Sequence, residues 1–372
     1  MIRETPVLSS RTLSERAGAT VALKAENLQR TGSFKLRGAL AKIAALGERC
    51  AAGVVTGSAG NHAQAVAYAA RARGVHCEVF MPEAATIAKF EAATALGATV
   101  HLVGASVHES LEAARERAHE GGLAFVHPFD DLDVIAGQGG LGLELLEQVP
   151  DIEAAIVPIG GGGLASGVAI ALKSERPTVK VIGVRVLDTR LTIADGIAVK
   201  HPGELTRPLI ERWIDQLVMV SEDEIAEAMV FLLERAKLVV EGAGAVGVAA
   251  LLGGRLSGAA AGTTVAILSG GNVDAGLLAH VARHHESHAG RRLVLLARLP
   301  DRPGSLAGLL ALVGDLGANL LDVQHIREGI DLHIRETAVQ LVLETRGPAH
   351  AEQVIEAVRD AGYGEPPRLP TS

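Results

Sequence analysis

The sequence predicts an α/β protein built on open parallel sheets, followed by a smaller α+β unit. Three observations carry this. From Val21 to Leu268, short apolar runs alternate with helical repeats over short connections, the pattern of parallel strands covered by helices on both faces. Aromatic residues are only 2% of the chain while apolar residues reach 48%. Such a core is Ala, Val, Leu and Gly, which suits helices packed on a parallel sheet. Around Arg283–Arg291, charged and histidine residues replace that pattern, and a different order of elements follows. A chain of 372 residues has room for two or three domains.

Taken in order, residues 1–26 carry Thr5-Pro6 and a short strand at Val21–Leu23. A helix over 33–46 rests on Leu36, Ala39, Leu40, Ile43 and Leu46, with Thr31-Gly32-Ser33 as its entry. Gly53–Thr56 is a buried strand that runs into Gly57-Ser58-Ala59-Gly60-Asn61-His62 and a helix stopped by Gly74. Strand Val75–Met81, helix 86–96, strand Ala98–Val103, helix 106–120 and strand Leu123–His127 follow. After helix 137–149, strand Ala154–Ile159 meets Gly160–Gly163 and a helix to about Ser174, then strand Val179–Val186. Residues 187–215 read as irregular around Ala194-Asp195-Gly196. Leu217–Val220 is a strand, and Ser221-Glu222-Asp223-Glu224 is a capping box opening a helix. Val240-Glu241-Gly242 leads into a small-residue helix, and strand Thr264–Leu268 ends at Ser269-Gly270-Gly271-Asn272. A linker is expected at 283–291. Strand 293–299, helix 305–316, strands 319–326 and 337–344, and helix 348–361 complete the chain.

Composition excludes several classes. The formal charge is -8, with no basic cluster, which argues against a nucleic-acid partner. No apolar run is long enough to cross a bilayer, and no signal-peptide pattern opens the chain. Cys50 and Cys77 are too few for a disulfide framework, so a reducing cytoplasm is expected.

The chemistry concentrates at strand-to-helix junctions. Lys35 falls in the first turn of its helix, against the positive end of the helix dipole. Alone it reads as a surface lysine; the place is tolerable for an amine that is tied up or neutralised by burial. Gly160–Gly163 lets consecutive N–H groups turn toward one anion at a helix N-terminus, so a phosphate is the expected guest. No Lys-Ser/Thr follows, as a P-loop needs. The glycines lack dinucleotide spacing, and Arg185-Val186 stand where an acid would close the next strand. Ser58-Ala59-Gly60-Asn61-His62 offers a hydroxyl, an amide and N–H groups to a carboxylate, or is an ordinary helix cap. Ser269 offers a hydroxyl, and Glu241 is either a surface acid or a buried one with a purpose. His280, His284 and His288 have the spacing of a metal face but lie in the expected linker, so no metal is assigned. A lysine, a phosphate cradle, a carboxylate cradle and a hydroxyl together suit pyridoxal phosphate acting on an amino acid.

These stretches together resemble threonine ammonia-lyases (threonine dehydratases) of the tryptophan-synthase-β-like pyridoxal-phosphate enzymes, followed by an ACT domain. The matching runs are Lys24–Gln29 through Ser33–Ala39, Ser58–Gln64, Gly160–Leu164, Ala194–Gly196, Glu241–Ala245 and Ser269–Asn272, in family order. The resemblance implies two parallel-sheet catalytic domains within 1–290, a small one at about 33–130 inserted in a large one, and a βαββαβ ACT domain at 291–372. Lys35, Ser58 and Asn61 would be catalytic, with Lys35 bound to the cofactor and moving the Cα proton. Phe34 and Gly196 would face the cofactor ring, Gly160, Gly161, Gly162, Gly163 and Leu164 would hold its phosphate, Asn61 its phenolic oxygen and Ser269 its pyridine nitrogen. Ser58, Ala59, Gly60, Asn61 and His62 would surround the substrate carboxylate. The implied reaction turns L-threonine, and L-serine, into a 2-keto acid and ammonia.

Serine racemases that resemble the chain carry a serine where Ala59 stands, so racemisation is the lesser reading beside elimination. Serine or hydroxyaspartate ammonia-lyase, a non-catalytic amino-acid sensor and a nucleotide-binding oxidoreductase are the rivals. The chain departs from the family in a short N-terminal region, a shortened segment after Val184, and Arg185 in place of a cation-binding glutamate. In the C-terminal unit Leu299–Ala307 and Gly317–Asn319 carry the ACT resemblance. An amino-acid effector would meet Asp301, Gly304 and Asn319, between copies in a homodimer or homotetramer; the alternative is a purely structural dimerisation module.

Overall fold

A computed structural model describes residues 2–190, 192–256, 262–327 and 333–363. These divide into two compact units, Met1–Ala275 and Gly276–Ser372.

In chain order the first unit runs β1 (Val7–Ser9), α1 (Arg11–Ala17), β2 (Val21–Lys24), α2 (Lys35–Leu46), β3 (Val54–Gly57), α3 (Asn61–Arg73), β4 (Cys77–Met81), α4 (Ile87–Ala95), β5 (Thr99–Leu102), α5 (Val107–Gly121), β6 (Ala124–Phe125) and α6 (Leu132–Gln148). It continues with β7 (Ile152–Pro158), α7 (Gly163–Glu175), β8 (Lys180–Val186), α8 (Thr206–Trp213), β9 (Gln216–Val220), α9 (Glu222–Phe231), α10 (Gly242–Leu252) and β10 (Thr263–Ile267). One sheet has the order β1-β2-β10-β7-β8-β9, parallel except for β1, and the other has the order β5-β4-β3-β6, parallel throughout. At the centre of the larger sheet Ala266 of β10 lies between Leu23 of β2 and Ile156 of β7. The expected α/β class is therefore present, with helices burying Ala, Val and Leu against the sheets. In α10 every residue from Gly242 to Leu251 is buried, which a helix can afford only when it has no polar face.

Four expectations are corrected. The 187–215 segment is not wholly irregular, since it contains α8. The carboxylate of Asp130 accepts from the backbone N–H groups of Glu204, Leu205 and Thr206, so a residue far away in sequence caps this helix. Pro208 stands in its first turn, where a missing N–H does no harm. Helix α6 starts at Leu132, five residues before the expected start, because the Asp131 side chain accepts from the N–H groups of Asp133 and Val134. The N-terminal segment adds strand β1, which pairs antiparallel with β2. The expected linker at 283–291 is mostly helix, since α11 (Ala275–His288) runs through it and carries His280, His284 and His288. The Ser221–Glu224 capping box forms as read, with Ser221 and Glu224 each bonding the other's backbone N–H.

A buried ionic network fixes the pitch of α2. Arg37 donates to Glu26 at 2.8 Å and to Glu144 at 2.7 Å, and Lys24 donates to Glu144 at 2.7 Å. The Thr5 hydroxyl donates to Glu26 and the Gln148 amide oxygen accepts from Lys24. These charges come from β2, the turn after it, α2 and α6, so the network ties four segments together two residues beyond Lys35.

The second unit contains α11, β11 (Arg292–Pro300), α12 (Ser305–Asp315), β12 (Asn319–Ile326), β13 (Glu336–Glu344) and α13 (Pro348–Asp360). Its sheet is antiparallel with β13 in the middle, in the order β11-β13-β12. Leu309, Val313, Val354 and Val358 of the helices pack on Leu295, Val339 and Leu341. The described order is βαββα; the last strand of the expected βαββαβ module falls outside the described residues. Gly304 has φ +90° and precedes α12. Asp301 pairs with Arg327 at 2.7 Å, and the Asn319 amide donates to Glu344 at 3.1 Å.

Candidate active site

The site lies where β3, β7 and β10 end. Carboxyl ends of parallel strands leave room for a ligand because the chain turns away into helices. Each of these ends carries one of the glycine-bearing runs singled out above, Ser58–His62, Gly160–Gly163 and Ser269–Asn272.

Lys35 is the first residue of α2, behind Phe34. The chain is stitched to the third run there. The Phe34 N–H donates to the Ser269 carbonyl at 3.0 Å, and the Gly271 N–H donates to the Gly32 carbonyl at 2.9 Å. The Lys35 amine donates to the Pro128 carbonyl at 2.8 Å. Burial lowers its pKa from 10.5 to about 8, with Glu241 pulling the other way. A lysine so placed has a larger neutral, nucleophilic fraction than a free one.

The glycine run fits a phosphate. The N–H groups of Gly160, Gly161 and Gly162 donate to no described residue, and the N-terminus of α7 adds its positive potential. The Gly161 carbonyl is held by the Thr206 hydroxyl at 2.6 Å and the Gly203 N–H at 3.3 Å. No side chain would fit. A Cβ at Gly160 would come within 2.8 Å of the Ile197 backbone, one at Gly161 would enter the Phe129 ring, and one at Gly163 would stand 2.9 Å from the Phe129 carbonyl. Gly162 has φ +97°, which also favours glycine.

At the start of α3 the Ser58 hydroxyl accepts from the Gly60 N–H at 3.2 Å. The His62 ring lies 3.0 Å from the Val126 carbonyl through Nε2, so that nitrogen carries the proton. Its Nδ1 is buried without a partner among the described residues, and burial holds the ring neutral, its pKa down to about 3. What His62 offers a carboxylate is therefore its backbone N–H in the first turn of α3, not its ring. Ala59 places no hydroxyl on its side of the site.

Phe34, Lys35, Ser58, Ala59, Gly60, Asn61, His62, the four glycines, Leu164, Gly196 and Ser269 all line one cavity of about 300 Å³. Every residue expected to meet cofactor or substrate is thus brought to one place. Asp301, Gly304 and Asn319 belong to the second unit.

The sequence reading left Glu241 open between surface and interior and gave Lys89 and His127 no role. Glu241 is buried, its carboxylate accepts from the Asn61 amide at 2.7 Å, and burial together with Asp195 pushes its pKa up to about 7. The signal was there in a lone acid before an entirely apolar helix. Lys89 and Asp195 pair at 2.9 Å beside the cavity from opposite parts of the chain, and no local pattern marks that meeting. His127 turns the strap that ends β6: its Nδ1 accepts from the Asp130 N–H at 2.7 Å, and burial depresses its pKa to about 4. Arg185 donates to the Val199 and Lys200 carbonyls at 3.0 Å each.

Fold, lysine and cradle together define a pyridoxal-phosphate-dependent enzyme, and the chain belongs to that family: residues 1–270 match the family described as pyridoxal-phosphate dependent enzymes. Among individual relatives, the L-threonine ammonia-lyase of Thermotoga maritima is 44% identical over 382 residues, covering 98% of this chain and 94% of that protein. The L-threonine ammonia-lyase of Geobacter sulfurreducens is 44% identical over 380 residues, covering 97% and 94%. Among solved structures, threonine deaminase isoform 2 from Solanum lycopersicum matches with a TM-score of 0.71 at 35% identity, over 76% of this chain and 83% of that one. Maize serine racemase matches with a TM-score of 0.71 at 36% identity, over 77% and 94%.

Proposed function

We infer that this protein is a pyridoxal-phosphate-dependent threonine ammonia-lyase that converts L-threonine to 2-oxobutanoate and ammonia, with L-serine, giving pyruvate, as its second substrate. The observation that carries this is the meeting of Lys35 and Gly160–Gly163 in one cavity, supported by relatives of that activity that span nearly the whole chain. Bound there, the cofactor supplies an electron sink for the carbon that loses its α-proton.

The residues divide the remaining work. Lys35 would hold the cofactor and would move the Cα proton. The N–H groups of Gly160–Gly163 and Leu164 would hold the phosphate. Phe34 and Gly196 would bound the ring, and Asn61 would meet its phenolic oxygen. Ser58, Gly60 and the first turn of α3 hold the substrate carboxylate, with Ala59 and Asn61 beside it. Ser269 would face the pyridine nitrogen. A hydroxyl leaves that nitrogen unprotonated more readily than a carboxylate partner would, which favours loss of the β-hydroxyl over transamination. Ala59 has no group that exchanges a proton on the opposite face, which favours elimination over racemisation.

The four-stranded sheet, separate from the larger one, supports a small catalytic domain at about 33–130 inserted in the large one. The order β11-β13-β12 with two helices supports an ACT module in the second unit, where an amino-acid effector would meet Asp301, Gly304 and Asn319. Strand β12 is an edge with Leu320, Leu321 and Val323 exposed, which supports assembly as a homodimer or homotetramer. Two free, buried cysteines support a cytoplasmic setting.

The test is ammonia release from L-threonine, L-serine and their D-forms, with and without isoleucine and valine. Threonine is expected to lead, with serine second. Formation of D-serine without keto acid would move the assignment to a racemase.

A further inference from the structure

The Asn61 amide is held at both ends. Its Nδ2 donates to Glu241 Oε1 at 2.7 Å, and its Oδ1 accepts from Asn272 Nδ2 at 2.8 Å. Asn272 is fixed in turn by donating to the Thr31 carbonyl at 2.8 Å. The Glu241 main chain is anchored where its N–H donates to the Gly270 carbonyl at 3.1 Å. Gly270 packs so closely on the carboxylate that a Cβ there would strike Oε1.

An amide has chemically different ends, a donor and an acceptor. Free to rotate, Asn61 would present either one to the cavity it lines. Held as described, its oxygen is taken up by Asn272, and its second N–H is left uncommitted.

We propose that Glu241 is a positioning residue for the reaction, acting through Asn61: it fixes the amide so that a donor, never an acceptor, meets an anionic oxygen of the cofactor. The inference rests on the proposed function only in taking the cavity as a pyridoxal-phosphate site. The charged groups that face Glu241 are Lys35 from α2, Lys89 from α4 and Asp195 from the turn before α8. Lys89 and Asp195 are paired with each other and Lys35 is bonded to Pro128, so the hydrogen-bond partner of the carboxylate is Asn61.

The test is a double-mutant cycle of Glu241→Met, Asn61→Ala and the two together, with Glu241→Gln beside it. Cofactor affinity is read by titrating cofactor-free protein with pyridoxal phosphate and following absorbance, and kcat and KM are measured separately. Each single variant is expected to weaken cofactor binding about tenfold, as loss of a supporting hydrogen-bond partner does. The double variant should be no weaker than Asn61→Ala alone, and kcat should fall more than KM rises. Glu241→Gln keeps an oxygen for Asn61 and should stay close to the unsubstituted protein. Additive losses, or a Gln variant as impaired as the Met one, would overturn the proposal. If Glu241→Met does not fold, Glu241→Ala takes its place in the cycle. An unsubstituted protein that binds the cofactor and shows this coupling, yet releases no ammonia from threonine, sinks the threonine assignment and leaves the role of Glu241 standing.

Discussion

The Lys35 amine donates to the Pro128 carbonyl at 2.8 Å, joining residues 93 positions apart. The next residue, Phe129, packs its ring where a side chain on Gly161 would lie. One strap, His127–Asp131, therefore sets the lysine, the glycine run and, through Asp130, the start of α8. Replacing Lys35 by Ala is expected to abolish both ammonia release and the visible absorbance of the cofactor-loaded protein. A coloured, active variant would refute the assignment.

Gly161→Ala tests the cradle. Its methyl group collides with the Phe129 ring, so either the strap or the cradle must shift. Overpacking of this kind costs about 1–3 kcal/mol. The variant should melt lower and need more pyridoxal phosphate for saturation. Gly60→Ala meets nothing within 4 Å and serves as the steric control, with an unchanged melting temperature.

The lysine also carries a pH signature. Its pKa is about 8 in the folded, cofactor-free protein against 10.5 ordinarily, so folding weakens its hold on the proton. The stability it contributes is present above 10.5 and is lost as pH falls through 8. Lys35→Met should accordingly raise the melting temperature of cofactor-free protein at about pH 7, by a gain that shrinks above pH 8. Glu241 runs the other way, its contribution present below 4.5 and lost as pH rises through about 7. A gain from Lys35→Met that does not change with pH would contradict the lysine's lowered pKa.

The network behind the site predicts a large stability effect far from any chemistry. Glu144→Ala strips Lys24 and Arg37 of a shared partner, leaving two buried cations with Glu26. Because Glu144 keeps 19% of its side chain exposed, the loss is set at the lower end for a broken buried pair, about 3 kcal/mol. Urea unfolding should show it as a lower midpoint with an unchanged slope. By contrast, the Arg11–Glu15 pair is 91% and 68% exposed, and Arg11→Ala should shift stability by less than about 0.5 kcal/mol.

Beside the cavity, Lys89 and Asp195 are 25% and 65% exposed, so their attraction is modest and screened by salt. Lys89→Met should raise KM at low salt by no more than about fivefold, the equivalent of about 1 kcal/mol. At high salt the variant and the unsubstituted protein should converge. A KM difference unaffected by salt would mean that Lys89 acts by contact rather than by charge.

The sequence by itself determined what is written in local pattern. Periodicity, the Ser221–Glu224 capping box and the three glycine-bearing runs gave the α/β class, the junctions and the lining of the site. Each of those signals spans a few residues, and backbone geometry turns them directly into strands, helix starts and exposed N–H groups. Tertiary structure alone decided what depends on residues distant in sequence. Asp130 caps a helix that local signals leave irregular, and β1 finds an antiparallel partner. The His62 ring N–H donates to the Val126 carbonyl, and Glu241 meets Asn61 across 180 positions. Such contacts follow from how the two parallel sheets place their strand ends together. Burial there lowers the pKa of Lys35 and His62 and raises that of Glu241, and no run of neighbouring residues encodes that environment.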